Sequence, residues 1–220
     1  MIGIMVAMEK EWDSLFMDLG ERTGLIGRRS AVSSTDNGAA YTGIISGIGK
    51  VNAAVAAYRL IMERRCDAIL SFGCAGGMAH DVHVGDVIVG DEYMYHDVWC
   101  GSPNAVGQVQ GCPETFRSSY ESWSFLKEYR HGLIATGDTF VESDVVMTAI
   151  SNSLYPAHCP IAIDMESAAI AQVCERHGVG FTSVRVISDN ILLREKPYDG
   201  FWESKDKTLS MLFRRFLEEE

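Results

Sequence analysis

Asp164-Met165-Glu166-Ser167-Ala168-Ala169 and Val184-Arg185-Val186-Ile187-Ser188-Asp189 each set ionisable side chains at the end of an apolar run. Residues 161–163 read as a short buried strand, after which Glu166 opens a helix reaching about His177. Residues 181–187 read as the next strand, which ends on Ser188 and Asp189. In an open α/β sheet the carboxyl ends of the strands form the edge where ligands bind. A Glu, an Arg and an Asp delivered to that edge point to chemistry rather than packing, because burying unpartnered charges is costly.

Working outward, residues 2–7, 41–46, 68–72, 87–89 and 132–136 supply further apolar strands. Helical stretches separate them. Val51, Ala54, Val55, Tyr58, Ile61 and Met62 recur at helical spacing, residues 143–152 form another helix, and Leu209, Leu212, Phe213 and Phe216 share one face of a last helix over 199–219. Strands alternating with helices predict one α/β domain over residues 1–220 with a largely parallel sheet. Residues 100–112, rich in Gly, Pro, Asn and Gln, read as a long loop, and loops of that length are usually functional or disordered.

The chain carries 19 Lys and Arg against 30 Asp and Glu, a net charge of −11 that argues against a nucleic-acid or anionic-membrane surface. No apolar run approaches the ~20 residues of a membrane span. The N-terminus has no basic-then-apolar pattern, since Glu9 and Glu11 follow the first strand at once. The six cysteines show no Cys-x-x-Cys pair or zinc spacing, so Cys66, Cys74 and Cys174, in or beside apolar segments, read as free thiols. A reduced, soluble, cytoplasmic protein without a structural metal is the expectation.

Gly47-Ile48-Gly49-Lys50 fails as a P-loop, because Ile44 and Val51 occupy the required Gly and Ser/Thr positions. A tight strand-to-helix turn is expected there, with Ile48 near a ligand. Gly73-Cys74-Ala75-Gly76-Gly77 follows a buried strand and has two readings: a sharp turn, or a close backbone approach to a ligand with amides that bind oxygen. Glu9 and Glu11 suit a helix N-terminus, where the dipole favours carboxylates. That accounts for one of them; with Glu166 and Asp189 at other strand ends, the second completes an acid/base set.

Taken together, Ala7-Met8-Glu9-Lys10-Glu11, Ser46-Gly47-Ile48-Gly49-Lys50-Val51, Gly73-Cys74-Ala75-Gly76-Gly77, Gly137-Asp138-Thr139-Phe140-Val141, Asp164-Met165-Glu166 and Arg185-Val186-Ile187-Ser188-Asp189 resemble, in this order, the 5′-methylthioadenosine/S-adenosylhomocysteine nucleosidases. Tyr95-His96-Asp97 and Gly111-Cys112-Pro113 look like that family too. The resemblance implies a single-domain nucleoside phosphorylase-like α/β fold, with a central mixed, mostly parallel sheet flanked by helices. It also implies a homodimer and hydrolysis of the adenine N-glycosidic bond of a small-molecule nucleoside, with no metal or organic cofactor.

Position by position, the resemblance implies that Glu11 activates water and that Glu166, with the Met165 backbone, holds the ribose hydroxyls. Arg185 would orient Glu166 and the water, while Asp189, set by Ser188, would protonate adenine N7. Cys74, Ala75 and Gly76 would line the site, Phe140 would stack on adenine, and Val141 would contact it through backbone. Met8, Ile48 and Tyr198 would line the 5′-alkylthio pocket, Tyr198 from the partner subunit, with Phe201 and Trp202 as apolar surface nearby. Cys74 departs from the family's usual Ser, and Ile191-Leu192-Leu193 departs from its Ala-Asp continuation. The rivals are a 6-amino-6-deoxyfutalosine hydrolase, a phosphate-dependent nucleoside phosphorylase, which the acidic Glu9–Glu11 loop disfavours, and a nucleoside-binding module without catalysis.

Overall fold

Period-two alternation along the central strands sends apolar side chains into two layers. Met5 and Ile69 pack with Ala53, Ala57 and Leu60 on one side and with Ala168, Ile170 and Cys174 from a second helix. Their neighbours Ile4, Val6, Leu70 and Phe72 pack on the opposite face with Trp12, Leu15, Leu212, Phe213 and Phe216. A computed structural model describes residues 1–17, 32–195, 198–203 and 207–219.

The strands are β1 (Ile2–Val6), β2 (Val32–Ser34), β3 (Ala40–Ile45), β4 (Ala68–Gly77), β5 (Val87–Tyr95), β6 (Phe116–Arg117), β7 (Arg130–Thr136), β8 (Ala162–Asp164) and β9 (Gly180–Asp189). The helices are α1 (Glu9–Leu15), α2 (Lys50–Arg64), α3 (Asp144–Leu154), α4 (Ser167–His177), α5 (Tyr198–Glu203) and α6 (Thr208–Glu219). Parallel pairing joins β3, β1, β4 and β9, and also β5, β7 and β8. Antiparallel contacts tie β9 to β5 and β8 back to Gly76 and Gly77 of β4, so the strands β4–β9–β5–β7–β8 close into a ring. The mixed sheet with helices on both faces agrees with the expected fold class.

Two expectations need correction. The glycine-rich run after residue 72 is no turn, because β4 continues through Gly77. Its glycines serve close approach: a Cβ on Gly73 would lie 2.6 Å from Glu11 Oε1, and one on Gly77 2.7 Å from Asn190 Nδ2.

The helical spacing at residues 51–62 does form α2, and its apolar stripe faces outward. Val51, Val55, Tyr58 and Met62 are exposed, and the buried face is Ala53, Ala56, Ala57 and Leu60. Small residues there allow α2 to pack closely on the alanines of α4. The second correction is that the helix expected over 199–219 is two helices, α5 and α6, and Phe201 is buried in the core rather than surface-forming.

Candidate active site

Every element that reaches the site does so from a carboxyl end. The segment after β1 brings Ala7, Met8 and Glu11, the end of β4 brings Cys74, Ala75 and Gly76, and the segment after β3 brings Ile48. The segment after β7 adds Thr139, Phe140 and Val141; β8 adds Ile163 and Asp164, followed by Met165 and Glu166; β9 ends in Ser188 and Asp189. Together they line one cavity that opens to solvent. Twelve of the residues singled out in the sequence meet here: Met8, Glu11, Ile48, Cys74, Ala75, Gly76, Phe140, Val141, Met165, Glu166, Ser188 and Asp189. Arg185 lies behind this cavity rather than in its lining. Tyr198 opens α5, and its side chain lies outside the described residues.

Glu11 is buried in a cradle of backbone donors. Its Oε2 accepts from Ala7 N at 2.8 Å and Met8 N at 3.0 Å, closing the first turn of α1, and its Oε1 accepts from Cys74 N at 3.0 Å. The Cys74 thiol adds a longer contact of 3.6 Å to the same oxygen. Burial raises the Glu11 carboxyl above its ordinary range, while Arg185 and the three amides pull it back. Glu9, by contrast, is exposed.

A bulge sets Ser188 beside Asp189. The β4–β9 ladder pairs Ala75 with Ile187 and then Gly76 with Asp189, so Ser188 is an extra residue on β9. Consecutive residues of a regular strand face opposite sides; here Ser188 and Asp189 both line the cavity. Ser188 Oγ donates to Asp189 Oδ1 at 2.7 Å. Burial raises the Asp189 carboxyl, and the Ser188 hydrogen bond partly opposes that rise.

Glu166 precedes α4, and its Oε1 accepts from Gly49 N at 2.8 Å. Gly47 and Gly49 both hold positive φ, which forms the tight turn into α2 expected from the sequence. The next amide, Lys50 N, donates to Asp138 Oδ1 at 2.8 Å, so two carboxylates from distant segments satisfy orphan donors at the α2 N-terminus. Lys50 Nζ is taken up by Asp97 at 2.7 Å and does not point to an anion site. Burial and the neighbouring Asp164 charge push Glu166 up to about 8.

Arg185 is 2% exposed and donates to Asp164 Oδ2 at 3.0 Å, Ser71 Oγ at 3.1 Å and Ser167 Oγ at 3.0 Å. It acts on Glu166 and Glu11 through its charge. Sequence reasoning missed Ala7, Thr139, Ile163 and Asp164. Asp164 was present in the opening motif, and its position at a strand end was the available signal.

The lining carries Glu11, Asp164, Glu166 and Asp189 and, among the described residues, no Lys or Arg. Such a site suits proton transfer around a neutral or developing cationic ligand, with carboxyls of different proton affinity at separate edges.

A cavity of this composition at the carboxyl ends of a part-closed α/β sheet defines the class. The chain belongs to the phosphorylase superfamily, whose family model matches residues 2–218. Among solved structures, most of the similar ones are 5′-methylthioadenosine/S-adenosylhomocysteine nucleosidases. That of S. pneumoniae, solved with the transition-state inhibitor MT-ImmA, is 29% identical with a TM-score of 0.76, covering 99% of this chain and 98% of the other. The S-adenosylhomocysteine nucleosidase of Streptococcus pyogenes, in complex with 5-methylthiotubericidin, is 28% identical with a TM-score of 0.77, covering 98% and 96%. The futalosine hydrolase of Helicobacter pylori shares the fold at 23% identity and a TM-score of 0.82, covering 100% and 97%. Among the described residues no helix is long and apolar enough to cross a membrane.

Proposed function

We propose that this protein hydrolyses the N-ribosidic bond of 5′-methylthioadenosine and S-adenosylhomocysteine, releasing adenine and the 5-thioribose product. The observation that carries this reading is the meeting of Glu11, Glu166 and Asp189 in one cavity, each buried enough to raise its proton affinity. Water oxygen bonds to ribose C1′ and yields a proton to Glu11. The C1′–N9 electron pair leaves with the purine, whose N7 takes the proton of Asp189. Positive charge that grows on the sugar is met by Glu166 at the ribose hydroxyls. This division of labour parallels inverting glycosidases, in which one carboxyl is acid and the other base. Phe140 and Ile48, half exposed at the mouth, offer apolar faces to the base and the 5′ group.

Hydrolysis is favoured over phosphorolysis because a phosphate dianion would enter a cavity lined by carboxyls, with Lys50 already paired. Product analysis decides the matter. Adenine and free 5-thioribose should form in phosphate-free buffer at an undiminished rate, and strict phosphate dependence with a ribose 1-phosphate product would overturn the reading. If 6-amino-6-deoxyfutalosine is cleaved far better than either thionucleoside, the enzyme is that substrate's hydrolase instead.

We also infer a homodimer in the cytoplasm. Val51, Val55, Tyr58 and Met62 form an exposed apolar stripe along α2, whose N-terminus supports Glu166. Sedimentation showing a fully active monomer at assay concentration would remove the dimer.

A further inference from the structure

Asp164 ends β8, and the reaction described above gives it no step. The residue is 6% exposed, and both carboxylate oxygens are occupied by protein donors. Thr136 Oγ1 donates to Oδ1 at 2.6 Å, joined by the amides of Glu166 at 3.3 Å and Ser167 at 3.2 Å. Arg185 Nε donates to Oδ2 at 3.0 Å, and the Ser167 hydroxyl donates to the same oxygen. The partners extend the network: Ala168 N donates to Thr136 Oγ1 at 3.0 Å, and Arg185 reaches Ser71 Oγ at 3.1 Å. One carboxylate thus ties β4, β7, β8 and β9 to the first turn of α4, the turn that Glu166 precedes.

Resting on the nucleosidase reading, we propose that Asp164 is the positioning residue of this site: it locks Arg185 and the start of α4, and its fixed charge governs how Glu166 meets the ribose. With its acceptors engaged inside the protein, Asp164 contributes placement and field rather than a contact to the substrate. The charged groups facing Glu166 are Asp164 from β8, Glu11 from α1 and Arg185 from β9, with the Gly49 amide from the start of α2. Arg185 is shared among three carboxyls, and Asp164 holds it by the direct bond. Glu166 therefore keeps its proton until a substrate that supplies hydroxyl donors, and then positive charge, takes the place of a counter-ion.

The test is Asp164→Asn in the full chain, read by the infrared band of protonated carboxyl, with Glu166→Gln identifying the band that belongs to Glu166. In wild type that band should titrate near pH 8, and in Asp164→Asn it should titrate about 1–3 pH units lower, as expected when a neighbouring like charge is removed. An unshifted band in folded Asp164→Asn overturns the proposal. Removing one partner of a buried ion pair can unfold a protein, so Thr136→Val provides a second arm that keeps the charge. It should weaken 5′-methylthioadenosine binding several-fold while adenine, which has no ribose, binds as before. Equal weakening of both also overturns the proposal. If wild type cleaves no nucleoside, the functional reading fails alone, because the infrared titration still judges Asp164.

Discussion

Glu11 and Asp189 stand at two edges of one cavity and are held in opposite ways. Glu11 sits in a cradle of amides from the first turn of α1 and from β4, with a buried cation behind it. Asp189 sits on a bulge with, among the described residues, a single hydroxyl partner and no cation among the causes that move its proton affinity. Donors directed at a carboxyl favour its charged form, and burial with few donors favours its neutral form. In the proposed mechanism Glu11 accepts a proton and Asp189 donates one. Burial raises both carboxyls, and the contrast teaches that backbone N–H groups oppose that rise at Glu11 where a lone hydroxyl does so at Asp189.

The largest effect expected from breaking this contrast is on turnover. Asp189→Asn should lower kcat by roughly 10²–10⁴-fold while nucleoside binding survives, and it should abolish the alkaline decline of the pH–rate profile. A nucleoside whose base departs without protonation should recover much of that loss, but Glu11→Gln should be slow with both substrates. Equal slowing of good and poor leaving groups by Asp189→Asn would show that Asp189 is not the acid.

Glu166, with one amide donor, supplies a middle case. Its folded value of about 8 lies above the ordinary 4.5, so it favours folding most below about pH 4.5 and that advantage is lost as pH rises through 8. Glu166→Gln should therefore stabilise the protein on the order of 1–4 kcal/mol at pH 9 and far less at pH 5, read by denaturant midpoints at both values. A pH-independent difference would contradict the buried, proton-holding state.

Gly73→Ala probes the cradle itself, since the new methyl would sit 2.6 Å from Glu11 Oε1. Overpacking of this kind costs about 1–3 kcal/mol. Activity should fall with stability, and a crystal structure should show Glu11 displaced from the Cys74 amide. The smallest effect is expected for Ser188→Ala. Loss of its hydrogen bond lets Asp189 rise further, moving the alkaline limb upward with little change in stability. A downward move would reverse the role assigned to that hydroxyl.

Much of this site was legible in the sequence because chemistry-bearing residues sit at the ends of apolar runs, and α/β topology gathers such ends. Glu166, Ser188 and Asp189 could be placed for that reason. What escaped depends on tertiary contact. The run 73–77 carries glycine, a residue of turns, and only the Glu11 and Asn190 side chains packed against it reveal an extended strand. The α2 stripe gave the helix, while its buried face of alanines against α4 emerges only from the packing. Asp164 looked like one more charge in a motif until its donors from other strands were seen. The short edge strands β2 and β6 have no periodicity long enough to register.

The extra residue at position 188 has a consequence for how such a site can be assembled. Because Asp189, not Ser188, occupies the rung opposite Gly76, excising Ser188 would leave the carboxyl on the same rung and take away only its hydroxyl neighbour. Insertion of a single residue thus adds a functional group beside an existing one without re-threading the strand. A sheet that tolerates such insertions at its ligand-facing rim can elaborate an acid stepwise, one atom group at a time, while the layers beneath it stay in register.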